Sequence, residues 1–550
     1  MARTSLFARL RRTALIERAS RRLGLHPEEI QALADQQQAV NRSRRHFLTH
    51  TVAVSSALTL AGCGVSVSGP VDDDDTVVIV GAGIAGLTAA WRLRQAGVKV
   101  RVFEAQGRIG GRMFSLRDQF PDGQVVELGG ELINTDHVNI RRLAEEFDIA
   151  LNDLHTDDPD LVDGVYFFEG RLLSDAEMVE AFAPVGAAIE RDLATLGVDD
   201  VTWREPGNAA ALDALSISQW LDREGVSGWL RRLIDVAYTS EMGLELDQQS
   251  ALNLLFMIGT GEQDYVALLG DSDERFHVRG GNDRIVQAVA EKLNDVIEPN
   301  SVLESIYQVA AERYRLSFRQ DGASVQVYAR QVILALPFTT LREVDFRVPL
   351  PSVQEQIIRE LAYGTNAKLM IGFESRIWRE RHGSNGSVYT DLPFQCAWET
   401  SRLQDGASGV LTNFRGGRQG VALGEGSARE QADRVVQALD EVFPGIAATR
   451  SEDSTQARMH WPSNPWVKGS YACYGPGQWT RLRGAAGESV GGLHFAGEHC
   501  ALDNQGYMEG GCETGELAAR AVLAQLGIRT ASAEPPGSQP ATHSSLQTFL

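Results

Sequence analysis

The segment from Thr76 to Glu104 leaves few folds open. A β-branched apolar run, Thr76–Val80, enters Gly81-Ala82-Gly83-Ile84-Ala85-Gly86 with nothing between. A stretch rich in Ala, Leu and Arg follows, and a second apolar run over residues 98–103 ends on Glu104 and Ala105. Strand, tight turn, helix, strand and acid in this order are the parts of a dinucleotide-binding βαβ unit. Gly81 permits the turn, Gly83 lets the backbone approach a pyrophosphate, and Gly86 lets helix and strand pack closely. The pyrophosphate would rest on the first helical turn, at Ile84 and Ala85, where amides are unpaired and the dipole is positive. Glu104 would accept a hydrogen bond from a ribose hydroxyl. Alone, the unit does not separate a nicotinamide from a flavin dinucleotide.

A chain of 550 residues exceeds what one core holds, so two domains, or one with large insertions, are expected. The formal net charge of −21 leaves no basic stripe to neutralise phosphates, which argues against a nucleic-acid partner. Ser43-Arg44-Arg45-His46-Phe47-Leu48 matches the twin-arginine export pattern, and the apolar run behind it, residues 51–61, is too short to span a membrane. Residues 1–70 therefore read as a leader for the twin-arginine export machinery, with a periplasmic destination. Leu60-Ala61-Gly62-Cys63 resembles a lipoprotein cleavage box, which makes Cys63 a candidate lipid anchor on the outer side of the membrane. Residues 72–75 read as an acidic linker. Cys396, Cys473, Cys500 and Cys512 show no CxxC pair and no metal-ligand spacing, so they read as buried thiols with one bridge left open, and no metal is expected.

Apolar residues recur at helical spacing over residues 141–147, 175–196 and 216–238. Phe276-His277-Val278-Arg279-Gly280-Gly281 opens a new strand and turn, followed by β-type runs at 301–306, 313–318, 324–327 and 331–336. Residues 369–410 alternate as antiparallel sheet. The stretch 528–550, rich in Ser, Pro, Ala and Thr, reads as a disordered tail. The expected fold class is α/β: an interrupted Rossmann-type dinucleotide domain plus an α+β substrate domain of helices and antiparallel sheet. The first would draw on residues 76–145, 272–345 and 462–527, the second on 146–271 and 346–461.

Further pieces stand in order along the chain. They are Gly107-Arg108-Ile109-Gly110-Gly111-Arg112, Glu127-Leu128-Gly129-Gly130-Glu131, the His277–Gly281 turn, Lys368 ahead of Trp378, and Phe495-Ala496-Gly497-Glu498 leading to Gly506-Tyr507-Met508-Glu509-Gly510. With the fingerprint, they make residues 76–526 resemble the flavin amine oxidase family: monoamine oxidases, polyamine oxidases and L-amino-acid oxidases. The resemblance implies FAD as cofactor. It places Gly111 and Arg112 at the phosphates, Gly129 and Gly130 nearby, and Val302 against the adenine. It places Trp461, Trp466, Gly497, Glu498, Gly506 and Met508 around the flavin and its ribityl chain. Ser470 stands where monoamine oxidases carry a flavin-linked cysteine, and Cys473 is off register, so the FAD is expected to be non-covalent. Lys368 takes the position where the family holds a water against flavin N5. Tyr471 and Tyr507 map onto two rings that face the flavin, Tyr507 touching both cofactor and substrate.

The activity implied is oxidative deamination, with hydride passing from the C–H that bears the amine to flavin N5 and dioxygen becoming hydrogen peroxide. Tyr389-Thr390-Asp391-Leu392-Pro393 and the following residues to Trp398 resemble a stretch of L-amino-acid oxidases, with Trp398 in the place of a pocket aromatic. An L-amino acid is therefore the leading substrate, giving a 2-oxo acid and ammonia. The arginine expected to clamp an α-carboxylate is missing where Glu131-Leu132-Ile133 stands. Glu131 would instead attract a cationic amine, so a monoamine or polyamine stays open as substrate. A flavin desaturase and a non-catalytic FAD-binding protein are the remote alternatives, and assembly as a homodimer is left open.

Overall fold

The computed structural model describes residues 71–72, 75–259, 273–450 and 455–528. The export motif, Cys63 and the tail after residue 528 lie outside them. Val77, Val78, Ile79 and Val80 are all buried, the pattern of a strand covered on both faces. This strand, Thr76–Val80, is the centre of a five-stranded sheet in the order Ile297–Glu298, Lys99–Phe103, Thr76–Val80, Gln331–Leu334, Leu493–Phe495. Every neighbouring pair in it is parallel.

On one face lie the helices Ile84–Gln95 and Met508–Gln525. They approach closely because the second presents Gly511 and Gly515. A Cβ at Gly515 would stand 2.3 Å from the Ala85 carbonyl oxygen, and one at Gly511 2.7 Å from Ile84 Cγ2. On the other face Val78, Val80 and Phe103 join an apolar core that continues into Trp220, Leu233 and Leu254 of the helical region. The cofactor and substrate regions thus share an interior.

The first three β-type runs after residue 300 form the antiparallel meander Val302–Ala310, Arg313–Gln320, Ala323–Ala329, and the fourth joins the parallel sheet as Gln331–Leu334. Its Phe318 stacks on Phe103 at 4.0 Å between ring centroids, tying the meander to the parallel sheet. Val71–Asp72 pairs with Val327 and Tyr328, so the first residue of the acidic segment expected as linker, Asp72, lies on a sheet edge. A third sheet has seven strands in the order Gln456–His460, Ala367–Phe373, Gly409–Arg415, Cys396–Glu399, Val388–Thr390, Val165–Phe168, Arg171–Leu172. Its strands between residues 367 and 415 pair antiparallel, as expected. The sheet is extended by Val165–Phe168, a strand from far earlier in the chain that runs parallel to Val388–Thr390. The single helix expected over 216–238 is two, Ile217–Arg223 and Gly228–Met242, with Gly225 between them at φ +71°. The four described cysteines are buried and unbridged. No described helix is long and apolar enough to cross a membrane.

Candidate active site

At the carboxyl ends of the parallel strands opens a cavity of about 910 Å³. One end is made of backbone. Gly83 caps the helix Ile84–Gln95 with no side-chain hydrogen bond and no acid in the first turn, so the first amides keep their positive ends unpartnered by side chains. A Cβ on Gly83 would meet only Gly111 Cα, at 4.0 Å, and the groove between the two glycines is space that side chains would fill. Gly81 is a packing position as well as a wall: at φ +104°, its Cβ would stand 2.5 Å from the Ala335 carbonyl. Gly86 does not line the cavity, which corrects its place among the cofactor residues. Its Cβ would stand 2.0 Å from the Gly81 carbonyl, so it lets the helix close on the turn.

Glu104 ends its strand in the cavity wall beside Ala105, with Val302 also lining. Its carboxylate accepts the amides of Ala82 at 2.8 Å and Gln106 at 2.9 Å. Burial pushes its pKa up, against those bonds and the charge of Arg108. Arg112 is less available to phosphate than the sequence suggests. Its guanidinium donates to Glu498 at 2.6 Å and to the Ser470 carbonyl at 2.8 Å. Glu498 also accepts the Gly506 amide at 2.8 Å, so one ion pair joins the two cofactor loops.

Gly129, Gly130, Gly497 and Met508 line the middle of the cavity with Trp466 and the buried Trp461, whose indole donates to the Leu128 carbonyl at 3.0 Å. Ser470 lines it and donates to Asn366, whereas Cys473 does not reach the wall. Unfilled backbone donors at a helix start and a carboxylate at the next strand end fit the pyrophosphate and ribose of a dinucleotide.

The other end is made of charged and aromatic side chains. Lys368, on strand Ala367–Phe373, and Glu131 are each 6% exposed and form an ion pair of 2.7 Å. Lys368 also donates to the carbonyls of Gly129 at 2.8 Å and Glu127 at 3.3 Å. Its three hydrogens all have protein acceptors, so a water held by Lys368 must displace the long Glu127 bond. Glu131 likewise differs from its expected role. Its carboxylate takes Lys368, Thr400 at 2.6 Å and the Trp398 indole at 2.9 Å, which leaves it committed rather than open to a substrate cation. Burial opposes the charged form of Glu131, and the Lys368 ammonium with these hydrogen bonds outweighs it, holding the carboxyl below its usual range. Trp398 packs edge-on against Phe414 at 5.5 Å.

Tyr471 and Tyr507 also line the cavity. The Tyr471 hydroxyl donates to the Glu241 carbonyl at 2.7 Å. Tyr507 meets the edge of His137 at 4.8 Å. His137 Nδ1 accepts the Asn134 amide at 3.1 Å, and burial pushes the imidazole down to about 3.

Among the lining residues not visible in the sequence are Arg402 and Glu274. Arg402 is half-buried, and no described residue hydrogen-bonds or ion-pairs with its guanidinium. Glu274 lines the same end, with Oε1 closed off and unpartnered. The sole signal for Arg402 was its position four residues after Trp398; for Glu274 there was none.

Residues 84–523 match the model of the flavin containing amine oxidoreductases. An L-amino acid dehydrogenase of Synechocystis is 27% identical over 82% of this chain and 95% of that protein. A flavin-containing amine oxidase of Danio rerio is 26% identical over 83% and 87%. Among solved structures, a putrescine oxidase redesigned in its cofactor binding superposes with a TM-score of 0.70 at 25% identity, over 82% of this chain and 99% of that one.

Proposed function

The chain belongs to the flavin-containing amine oxidoreductases, enzymes that bind FAD and act on amines, and from that premise we propose that its substrate is an L-amino acid. The observation that carries the reading is Arg402, an uncommitted guanidinium in the cavity wall. A planar fork of N–H donors matches an α-carboxylate, and a charge-assisted pair of this kind is worth about 1.5–3 kcal/mol. The similarity to the Synechocystis protein, whose name carries that substrate class, supports it.

Non-covalent FAD, held by Glu104, the Gly83–Gly111 groove and the loops of Arg112 and Glu498, supplies the two-electron acceptor when bound. In sum, amino acid, water and dioxygen give 2-oxo acid, ammonia and hydrogen peroxide. The protein's own part is positional. Arg402 orients the carboxylate, while Trp398, Tyr471 and Tyr507 form apolar walls that exclude water and face the amine and α-carbon with their rings. The Lys368–Glu131 pair fixes the Gly129 carbonyl and the Trp398 indole in place.

The test is turnover of the FAD-loaded protein over L-amino acids, monoamines and polyamines, read both as peroxide and with a dye acceptor. L-Amino acids should be turned over, and Arg402→Met should raise KM for them about 10–100-fold. Turnover confined to amines without a carboxylate overturns the reading. Dye reduction without peroxide keeps the substrate and replaces dioxygen as acceptor.

A further inference from the structure

Glu274 sits in the turn before the strand Phe276–Val278, at φ +44°, a left-handed conformation uncommon outside glycine. The turn is fixed on both sides. Asp273 accepts the Thr135 amide at 2.8 Å, the Glu274 amide donates to Asn134 at 3.0 Å, and Arg275 donates to Asp153 at 2.9 Å. This anchoring holds Glu274 on the cavity wall in spite of its backbone strain. There, Oε1 is shut off from solvent and has no hydrogen-bond partner. Such an oxygen carries a desolvation penalty that is relieved when a donor arrives.

Glu241, whose carboxylate oxygens are also buried, does not line the cavity, and the acids that do line it beside Glu274 are engaged. Asp157 pairs with Arg379 at 2.6 Å, Asp163 accepts from Asn385 at 2.7 Å, and Glu131 belongs to Lys368. Arg402 acts on Glu274 across space without an ion pair between them. Burial pushes the Glu274 carboxyl well above the usual range, Glu241, Asp163 and Glu131 add to the rise, and Arg402 opposes it.

We infer that Glu274 receives a cationic side chain of the substrate, so that the amino acids preferred are basic ones, carrying a guanidinium or a second ammonium. This rests on the L-amino-acid reading and names the class within it. A basic side chain brings the donor and the opposite charge that the carboxyl lacks, whereas an apolar side chain leaves Oε1 buried and unpaired.

The experiment compares kcat/KM of the FAD-loaded full chain for L-arginine, L-lysine and L-ornithine with that for L-leucine and L-methionine, and adds putrescine, which has the second cation but no carboxylate. Native protein should favour the basic set at least about 10-fold, and Glu274→Gln should collapse that ratio about 10–100-fold, chiefly through KM. Bound-flavin absorbance and melting temperature report whether the variant folds. Glu274→Asp, which keeps the carboxyl on a shorter stem, should retain a preference for basic substrates. A native preference for neutral amino acids, or a ratio unchanged in Glu274→Gln, overturns the inference. If putrescine alone is oxidised, the L-amino-acid reading fails by itself. Glu274 is then judged on putrescine, where a raised KM in Glu274→Gln upholds the cation contact and an unchanged KM overturns it.

Discussion

Around Gly83 and Gly111 the cavity surface is bare backbone, with space left where side chains would project. Around Lys368 and Glu131 it is side chains locked together by short hydrogen bonds. The first end recognises a shape common to every dinucleotide, and its donors are obligatory parts of the chain. The second recognises whatever its charges select, and its two most deeply buried charges, Lys368 and Glu131, neutralise each other when no substrate is present. Backbone sites tolerate an empty state cheaply, and fully buried charges do so through internal pairs.

Breaking the internal pair should have the largest effect. Lys368→Met leaves Glu131 buried without its cation, and a loss of about 3–5 kcal/mol is expected in denaturant unfolding, with Glu131→Gln in the same chain restoring most of it. Rapid-mixing reoxidation by oxygen separates structure from chemistry. A slower oxidative half-reaction in the double variant assigns Lys368 a part in oxygen reduction, and an unchanged one leaves it the partner of Glu131 alone.

The backbone end is sharpened by two glycines three residues apart. Gly86→Ala drives a Cβ to 2.0 Å from the Gly81 carbonyl and should destabilise the protein by about 1–3 kcal/mol or more. Gly83→Ala, at φ −78°, meets no such contact, so flavin affinity should fall while apoprotein unfolding moves by no more than about 0.5 kcal/mol. Equal losses of stability would erase the distinction between packing and cradle.

A last effect is spread over pH, at His137, whose ring meets Tyr507. Its folded pKa, about 3, is below the unfolded value near 6.5, so the unfolded chain binds the extra proton. Stability from this group is complete above pH 6.5 and declines as pH falls, by up to about 1.4 kcal/mol per unit. His137→Gln should flatten the unfolding free energy between pH 6.5 and 4.5; an unchanged slope would assign the pH dependence elsewhere.

The same contrast explains what the sequence discloses. Gly81, Gly83, Gly86 and Glu104 announce a βαβ unit because their spacing is local and each has one backbone reason to be there. Lys368 and Glu131 were each visible, but their pairing was not, because 237 residues separate them and only the fold measures that gap. Arg402 and Glu274 carry no local pattern. A lone arginine after a strand and a glutamate before one are ordinary surface residues until a cavity forms beside them. The helix break at Gly225 was missed because apolar spacing continues on both sides of it.

The strand Leu493–Phe495 and the helix Met508–Gln525 close a unit whose first strand begins at Thr76. On the ribosome, the opening βαβ unit emerges early with the Gln331–Leu334 side of its sheet exposed, one wall short of a container. The cavity wall is complete only once Tyr507, Met508 and Gly511 have been made, so the yellow colour of such a protein marks a chain translated past Gly511.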